Sequence, residues 1–546
     1  MAGVAVMAAL KAALVISGVL PFNADEAVVA LMARHILQGE RPVFFYGQAY
    51  LGSLDAVLVA IGYRLFGQHV WVIRLLQSLL YLGTLLTTAW LGRQVFHSWL
   101  PGVIAVWLLA IPTVNVTLYT TVSLGGYGEA LLLGNLILLV GLRAGQNVQA
   151  GKTAGFLRLL AVWGFLAGFG VWAFGLTLVY SLPTGLYLLF SAWRSTESTS
   201  REQQSAPQFS GWQKTGRFVG FGAVLSVAGL LGAAPWWWFG LQNGFGSLLW
   251  ELHGGAIASA AQAPWLLRSV QHAFYLLLFG GTVTFGLRPP WSVDWLALPV
   301  LPFVLVFWVL VLANTLKTLR CQGAAQHQQW VILGVCLTLL SGLVFSPFGM
   351  DPSGRYFVPL AVPLALFAAQ WILRLRARGG RTAYALVLLV LGFNAWGTIQ
   401  CALRSPPGLT TQFDAVTRVD HRYVIELAHF LHSHGETRGY TNYWVSYPLA
   451  FHSAEQLIYV PALPYHPDFR YTRRDDRYPL YTEQVAQAER VAFITTRHTA
   501  LDEHLRQQFK RLDISWQEAR IGDYQIFYAL SGLLRPEQIG LGKTTP

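Results

Sequence analysis

"GVLPFNADEAVVALMARHILQG", residues 18–39, is where the first apolar segment of the chain gives way to two adjacent carboxylates, Asp25 and Glu26. Residues 4–20 are apolar almost throughout, with Lys11 in their middle. A helix of that length is near what a bilayer crossing needs. The stretch that follows the pair reads as an amphipathic helix ending at Gly39. Asp25 is placed to cap it, and acidic side chains suit a helix N-terminus. The spacing therefore predicts a carboxylate pair at a membrane surface, where a base can take a proton from an attacking hydroxyl.

The composition agrees with a membrane protein. Of 546 residues 54% are hydrophobic and only 12% charged, with mean hydropathy +0.44. Soluble domains carry about 25% charged residues. Long apolar runs indicate an α-helical bundle, since a β-barrel shows short alternating strands instead. The net charge of +12 does not point to nucleic acid. Its basic residues gather in short loops around Arg143 to Arg158, Arg194 to Arg217, Lys317 and Arg320, and Arg374 to Arg381. Such clusters mark cytoplasmic loops. Cys321, Cys336 and Cys401 show no metal-ligand spacing and no disulfide framework. The N-terminus lacks a basic leader, so residues 4–20 read as an uncleaved first span with Lys11 snorkelling inward.

Eleven spans are expected, at 4–20, 69–91, 99–118, 126–142, 156–171, 176–193, 218–239, 295–316, 330–345, 356–373 and 383–403. With a cytoplasmic N-terminus, every basic cluster falls inside. The loops at 21–68, 119–125, 240–294 and 346–355 fall outside, as does everything after 403. Residues 52–66 and 273–287 are too short or too interrupted to span. The first reads as a helix along the outer interface, the second as re-entrant or interfacial.

Residues 1–402 hold ten of the 26 Asp and Glu. The tail is therefore a different material. It reads as a soluble α/β domain over 404–546, beyond "RSPPGLT", with helices in "HRYVIELAHFLHSHG" and "TALDEHLRQQFKRL" and strands in "EQLIYVPA", "RVAFITT" and "DYQIFYAL". The fold class is a polytopic α-helical membrane domain, 1–403, with a C-terminal extracytoplasmic α/β domain.

Residues 25–80 together resemble the N-terminal region of the GT-C membrane glycosyltransferases. The likeness is nearest to bacterial proteins similar to protein O-mannosyltransferases and lipid A aminoarabinose transferases, the glycosyltransferase family 39-like group. Asp25, Glu26, Gly39, Pro42, Tyr46, Gly47 and Tyr50 stand at that group's acidic pair, its Gly and its aromatic/Pro stretch. "SLGGYGEALLLGN" and "DPSGRYFVPLAVPL" resemble further segments of it. The resemblance covers roughly the first 400 residues. It implies sugar transfer from a polyprenyl-phosphate donor at the outer face of the plasma membrane, with a protein, lipid or glycan as acceptor. It also implies Asp25 as catalytic base, Glu26 as its support, and Tyr46 among the substrate-binding residues. The chain departs from the aminoarabinose transferases after Gly39. There it carries "PVFFYGQAYLGSLDA" in place of a Lys/Pro/Pro-type stretch.

The remaining candidates rest on chemistry. Arg355, at the outer end of a span, suits a lipid phosphate, although pairing with Asp351 explains it equally well. Glu129 begins a span and faces the bundle interior. It either orients substrate or makes a structural hydrogen bond. Tyr127 is a sugar contact or an interface aromatic. His253 is a sugar contact or a solvated loop residue. No metal site, nucleotide loop or redox motif appears, and a divalent cation at the acidic loop is left open. A flippase for lipid-linked saccharides, without transferase chemistry, is the alternative reading. The topology predicts that a single cysteine at position 41 reacts with a membrane-impermeant maleimide from outside intact cells. One at position 198 reacts only after permeabilisation; labelling at 41 that needs permeabilisation contradicts the arrangement.

Overall fold

The computed structural model describes residues 2–202, 211–252, 264–320, 326–377, 380–404 and 408–542. Among these, eight helices are long and apolar enough to cross a membrane: Val70–Phe96, Tyr127–Gln149, Thr153–Ala173, Gly175–Ser195, Leu301–Arg320, Gln326–Phe345, Arg355–Arg376 and Gly380–Leu403. A ninth candidate is bent by 69° between Val219–Gly232 and Ala234–Asn243. Ala2–Ile16 and Trp99–Ala110 are shorter apolar helices. The protein is a polytopic helical membrane protein, with an apolar helix at each expected span.

Three of those spans differ in detail from the expectation, each for a local reason. The segment at 99–118 stops at Ala110, and a separate turn, Val114–Tyr119, follows Pro112. Proline cannot donate to the helix ladder and disfavours helix in the residue before it. The segment at 218–239 breaks around Ala233, with Pro235 in the first turn of the next helix, a position proline tolerates. The segment at 295–316 begins only at Leu301, after Pro299.

Lys11 is buried against other parts of the chain. Its ammonium donates to the Thr120 carbonyl (2.5 Å) and to the Thr120 and Thr121 hydroxyls (both 2.9 Å). Three acceptors compensate the buried charge, and they tie the first helix to the turn after Tyr119.

The two short segments lie where the sequence placed them as helices. Leu54–Phe66 exposes Ile61, Leu65 and Phe66 on one side and buries Asp55 on the other, as an interfacial helix does. Trp265–Tyr275 continues through a π-helical turn, Leu276–Gly281, to Thr282–Thr284. The hairpin Phe44–Phe45 with Gln48–Gly52 was not read from the sequence. It turns at Gly47, whose φ is +69°. It packs so closely on the end of Thr153–Ala173 that a Cβ on Gly52 would sit 2.6 Å from the Trp172 carbonyl.

After the last membrane helix the chain folds into a five-stranded mixed sheet. Its order is Ile458–Pro461, Arg438–Thr441, Ala492–Thr496, Tyr524–Tyr528, Gln517–Ile521. The first three strands run parallel and the last two antiparallel to their neighbours. Helix Tyr443–His452 is the crossover between Arg438–Thr441 and Ile458–Pro461. That helix packs on Ala24–Gln38, the helix of the acidic pair.

Polar contacts lock this packing. His35 Nε2 meets Glu455 Oε1 at 2.8 Å, the Tyr481 hydroxyl donates to the same oxygen (2.7 Å), and Arg34 Nη1 lies 3.4 Å from Glu455 Oε2. Burial alone would raise the Glu455 carboxyl, but His35, Tyr481 and Arg34 outweigh it and hold it down at about 2. An unfolded glutamate titrates near ~4.3, so the depressed carboxyl adds stability that is complete above that pH and lost as pH falls through about 2. Glu455→Gln should therefore lower the melting midpoint at pH 7, with the gap to wild type closing between about pH 4 and about pH 2. A gap independent of pH would show that charge is not what Glu455 contributes.

Candidate active site

The helix Ala24–Gln38 is capped by Asn23, not by Asp25: the Asn23 side chain accepts from the Glu26 backbone N–H (3.1 Å). The Asn23 amide also donates to the Thr411 hydroxyl (2.9 Å), tying the helix start to the chain beyond the last span. With the cap supplied two residues before Asp25, both carboxylates are free for other partners. Successive helical residues point about 100° apart, and the pair separates accordingly.

Glu26 turns inward. It is fully buried, and its oxygens meet Arg74 of Val70–Phe96 at 3.3 Å and 3.1 Å. Arg74 also donates to the Leu20 carbonyl (3.0 Å). Burial pushes the Glu26 carboxyl up, and the Arg74 charge pulls against it. Glu26 does not line the cavity described below. Its ion pair with Arg74 anchors the helix.

Asp25 turns to a cavity of about 260 Å³, lined also by Gln48, Tyr50, Tyr119, Tyr127, Asp351, Ser353, Arg355, Gln412, Asp414 and Trp444. Its Oδ1 accepts from the Tyr443 hydroxyl at 2.5 Å. Burial and the neighbouring Asp25 charge push the Tyr443 phenol well above its usual range, so it stays a proton donor. Tyr443 opens the crossover helix whose N-cap is Asn442. Below it lies Arg477, its guanidinium 5.4 Å from the Tyr443 ring. With its amide oriented to accept, Gln48 takes two bonds from Arg477 at 2.8 and 2.9 Å.

Arg355 faces Asp25 across the same cavity, and Asp351 lies 2.5 Å from its Nε. Both readings of Arg355 thus meet in one place, since the ion pair is itself in the cavity wall. The loop that presents it is tightly held. Asp351 Oδ1 accepts from the Ser353 N–H (2.8 Å), Asn115 donates to the Gly354 carbonyl (3.0 Å), and Arg288 donates to the Pro352 carbonyl (2.6 Å). Gly354 takes φ +70°, with a Val283 methyl 2.5 Å from where a Cβ would be.

Tyr50 also borders a second cavity, and Tyr356, the residue after Arg355, lines that one. It measures about 240 Å³ and is lined by Phe174, Leu176, Val179, Leu339, Leu343 and Tyr356. A polar chamber thus adjoins an apolar one at Tyr50.

The other candidates divide. Tyr127 lines the polar cavity. Glu129, two residues further along the same helix, is buried with its carboxyl beside that of Asp55. Asp55 accepts from Gln77 (2.9 Å) and from the Ser123 hydroxyl, and burial raises it. Tyr46 lies outside the cavity. Its hydroxyl donates to Glu40 (2.7 Å), and its ring stacks on Tyr478 at 4.8 Å. His253 falls outside the described residues. Among the described residues no three His, Cys, Asp or Glu side chains converge in a metal-holding group. The sequence reading missed Tyr443, Trp444, Gln412 and Arg477. These come from 400 residues downstream, and "TNYWVSYP" shows only an apolar helix start.

Solved structures share this architecture. ArnT from Cupriavidus metallidurans aligns in an apo structure with a TM-score of 0.55 at 14% identity, over 95% of this chain and 96% of that one. A structure of the same protein bound to undecaprenyl phosphate aligns with a TM-score of 0.54 at 14% identity, over 94% of each chain. The chain shares the fold of ArnT. At that identity the likeness concerns the fold. Neither a protein-family model nor the sequence of a curated protein matches the chain.

Removing the Glu26 carboxylate leaves Arg74 buried and uncompensated, which costs about 3–5 kcal/mol. Glu26→Gln should thus lower the thermal midpoint in detergent well below that of Asp25→Asn. The double change Glu26→Gln with Arg74→Met should recover part of the loss; equal midpoints for Glu26→Gln and wild type would remove the anchoring role.

Proposed function

We propose that the chain is a membrane glycosyltransferase that moves a sugar from a polyprenyl-phosphate donor to an acceptor hydroxyl at the extracytoplasmic face. The observation that carries this reading is the paired cavity. A carboxylate and an arginine face one another in a polar chamber, and that chamber borders an apolar one at Tyr50. A lipid phosphate needs both halves: carbon lining for the prenyl chain and a guanidinium for the phosphate. ArnT, whose fold is shared, has a structure bound to undecaprenyl phosphate.

In the proposed step the acceptor oxygen attacks the anomeric carbon. Its proton passes to Asp25, which Tyr443 holds in place. The bond from the anomeric carbon to the phosphate oxygen breaks, and the electron pair leaves with the polyprenyl phosphate. Arg355 stabilises the charge released there. Attack from the face opposite the phosphate inverts the anomeric centre. Glu26 acts through position only, by fixing the helix, and Tyr127 contributes a hydroxyl-bearing wall. Residues 1–403 would be the catalytic membrane domain in the plasma membrane, with the N-terminus cytoplasmic. Residues 404–546 would be extracytoplasmic. The acceptor is a protein, lipid or glycan.

The test is release of undecaprenyl phosphate from radiolabelled undecaprenyl-phosphate sugars by the purified protein in nanodiscs. Asp25→Asn should lower turnover by at least about 10²-fold while keeping the melting midpoint. Arg355→Gln should lower it by about 10²–10³-fold. Normal turnover by Asp25→Asn removes it as the base. Passage of intact lipid-linked sugar across a bilayer, with no undecaprenyl phosphate released, makes the protein a flippase instead.

A further inference from the structure

Part of the wall of the polar cavity is not built by the membrane domain. It comes from the chain beyond the last membrane helix, through Thr411, Gln412, Asp414, Thr417 and Trp444. Two buried donors on it, Gln412 Nε2 and Trp444 Nε1, have no hydrogen-bond partner among the described residues. Native proteins rarely leave such groups unpaired, so each calls for an explanation.

Neither donor is unpaired through loose placement. The Gln412 side chain is held by the Thr410 hydroxyl at one end of its amide (2.5 Å), which leaves the other end unpaired. The Trp444 N–H of the backbone donates to Asn442 (3.0 Å), and Asn442 donates to the Thr496 hydroxyl (2.8 Å). Trp444 also follows Tyr443, the residue that holds Asp25. The turn that positions the base thus presents the indole beside it. This turn begins where the parallel strand Arg438–Thr441 ends, and ligands of open α/β sheets bind beyond the carboxyl ends of their strands.

The chemistry of the wall selects its ligand. A prenyl chain has no acceptors for these donors. A phosphate at this wall would meet the Asp414 carboxylate and no cation of the wall's own, since the one cation among the described lining residues, Arg355, belongs to the membrane domain, where the proposed function gives it the lipid phosphate. A sugar ring fits both parts. Its hydroxyls accept from the amide and the indole N–H and donate to the carboxylates, and its C–H face lies on an aromatic plane.

We propose that Gln412 and Trp444 form a subsite for a neutral sugar ring, contributed to the active site by the chain beyond the membrane domain. This rests on the transferase reading. The ring is either that of the lipid-linked donor or that of a glycan acceptor, and the two are separable by experiment.

Wild type, Gln412→Leu and Trp444→Phe are compared in nanodiscs; the second variant keeps a ring and loses only the indole and its N–H. Affinity is measured for undecaprenyl phosphate and for a set of undecaprenyl-phosphate hexoses and pentoses. KM is measured for oligosaccharide and peptide acceptors. All three proteins should bind undecaprenyl phosphate equally. The variants should then show one of two losses of about tenfold, the scale of a single hydrogen bond. Weaker binding of the sugar-bearing lipid alone assigns the ring to the donor. A raised KM for oligosaccharide, with donor binding unchanged, assigns it to the acceptor. Wild-type values throughout in both variants overturn the subsite, as does a change confined to peptide acceptors. A wild-type protein that binds neither lipid overturns the transferase reading beneath it.

Discussion

The buried ion pair of Glu26 with Arg74 is the contact on which the site depends. It joins the helix Ala24–Gln38 to the membrane helix Val70–Phe96 below the level of solvent. A buried pair is poor evidence for net stability, because desolvation offsets most of its attraction. Its value is directional: with Glu26 fixed to Arg74, the geometry of a helix turns Asp25 to the other side. Two adjacent acidic residues thus divide their work, one anchoring and one facing the cavity. Asn23 makes this division available by taking over the cap.

A second constraint comes from the tail. Leu409 N–H donates to the Val19 carbonyl (2.9 Å), the Asn23 amide donates to Thr411, and the Tyr443 hydroxyl donates to Asp25. Each contact joins the beginning of the chain to residues some 400 positions later. The C-terminal sheet is therefore not an appendage to the bundle. It supplies one wall of the cavity and the only protein hydroxyl seen on the carboxylate of Asp25 among the described residues. It is docked on the helix Ala24–Gln38 through the contacts of Glu455 with Arg34 and His35.

The bundle was legible in the sequence because its signal is additive: long apolar runs and clustered basic loops accumulate over many residues. Two tail helices, Val424–Ser433 and Thr499–Arg511, and three of its strands were legible from local periodicity, whereas Tyr443–His452 and Pro479–Ala486 were not read. Strands Arg438–Thr441 and Gln517–Ile521 were not, being short and carrying charged residues at their starts or along their length. The site was half legible. Asp25 and Arg355 stand out because charges are rare in an apolar chain. Asp25 nonetheless looked like a cap, because Asn23 and Asp25 are equally good at that task by residue type. Tyr46 looked like a substrate contact, yet its hydroxyl is occupied by Glu40. Tyr443 and Trp444 carried no signal at all, since an aromatic pair becomes part of a site only when the fold brings it to one. The same holds for Glu40, which meets the Tyr46 and Tyr478 hydroxyls, and for Glu251, which accepts from the Ala49 N–H (2.7 Å).

The account stands or falls on where a lipid phosphate sits. A cryo-electron microscopy map of the protein in nanodiscs with undecaprenyl phosphate measures this directly. The account predicts phosphate density on the Arg355 guanidinium, with the first prenyl units running past Tyr50 and Tyr356 between Phe174 and Leu343. Phosphate density away from Arg355, with the chamber between Asp25 and Arg355 left to solvent, would contradict it.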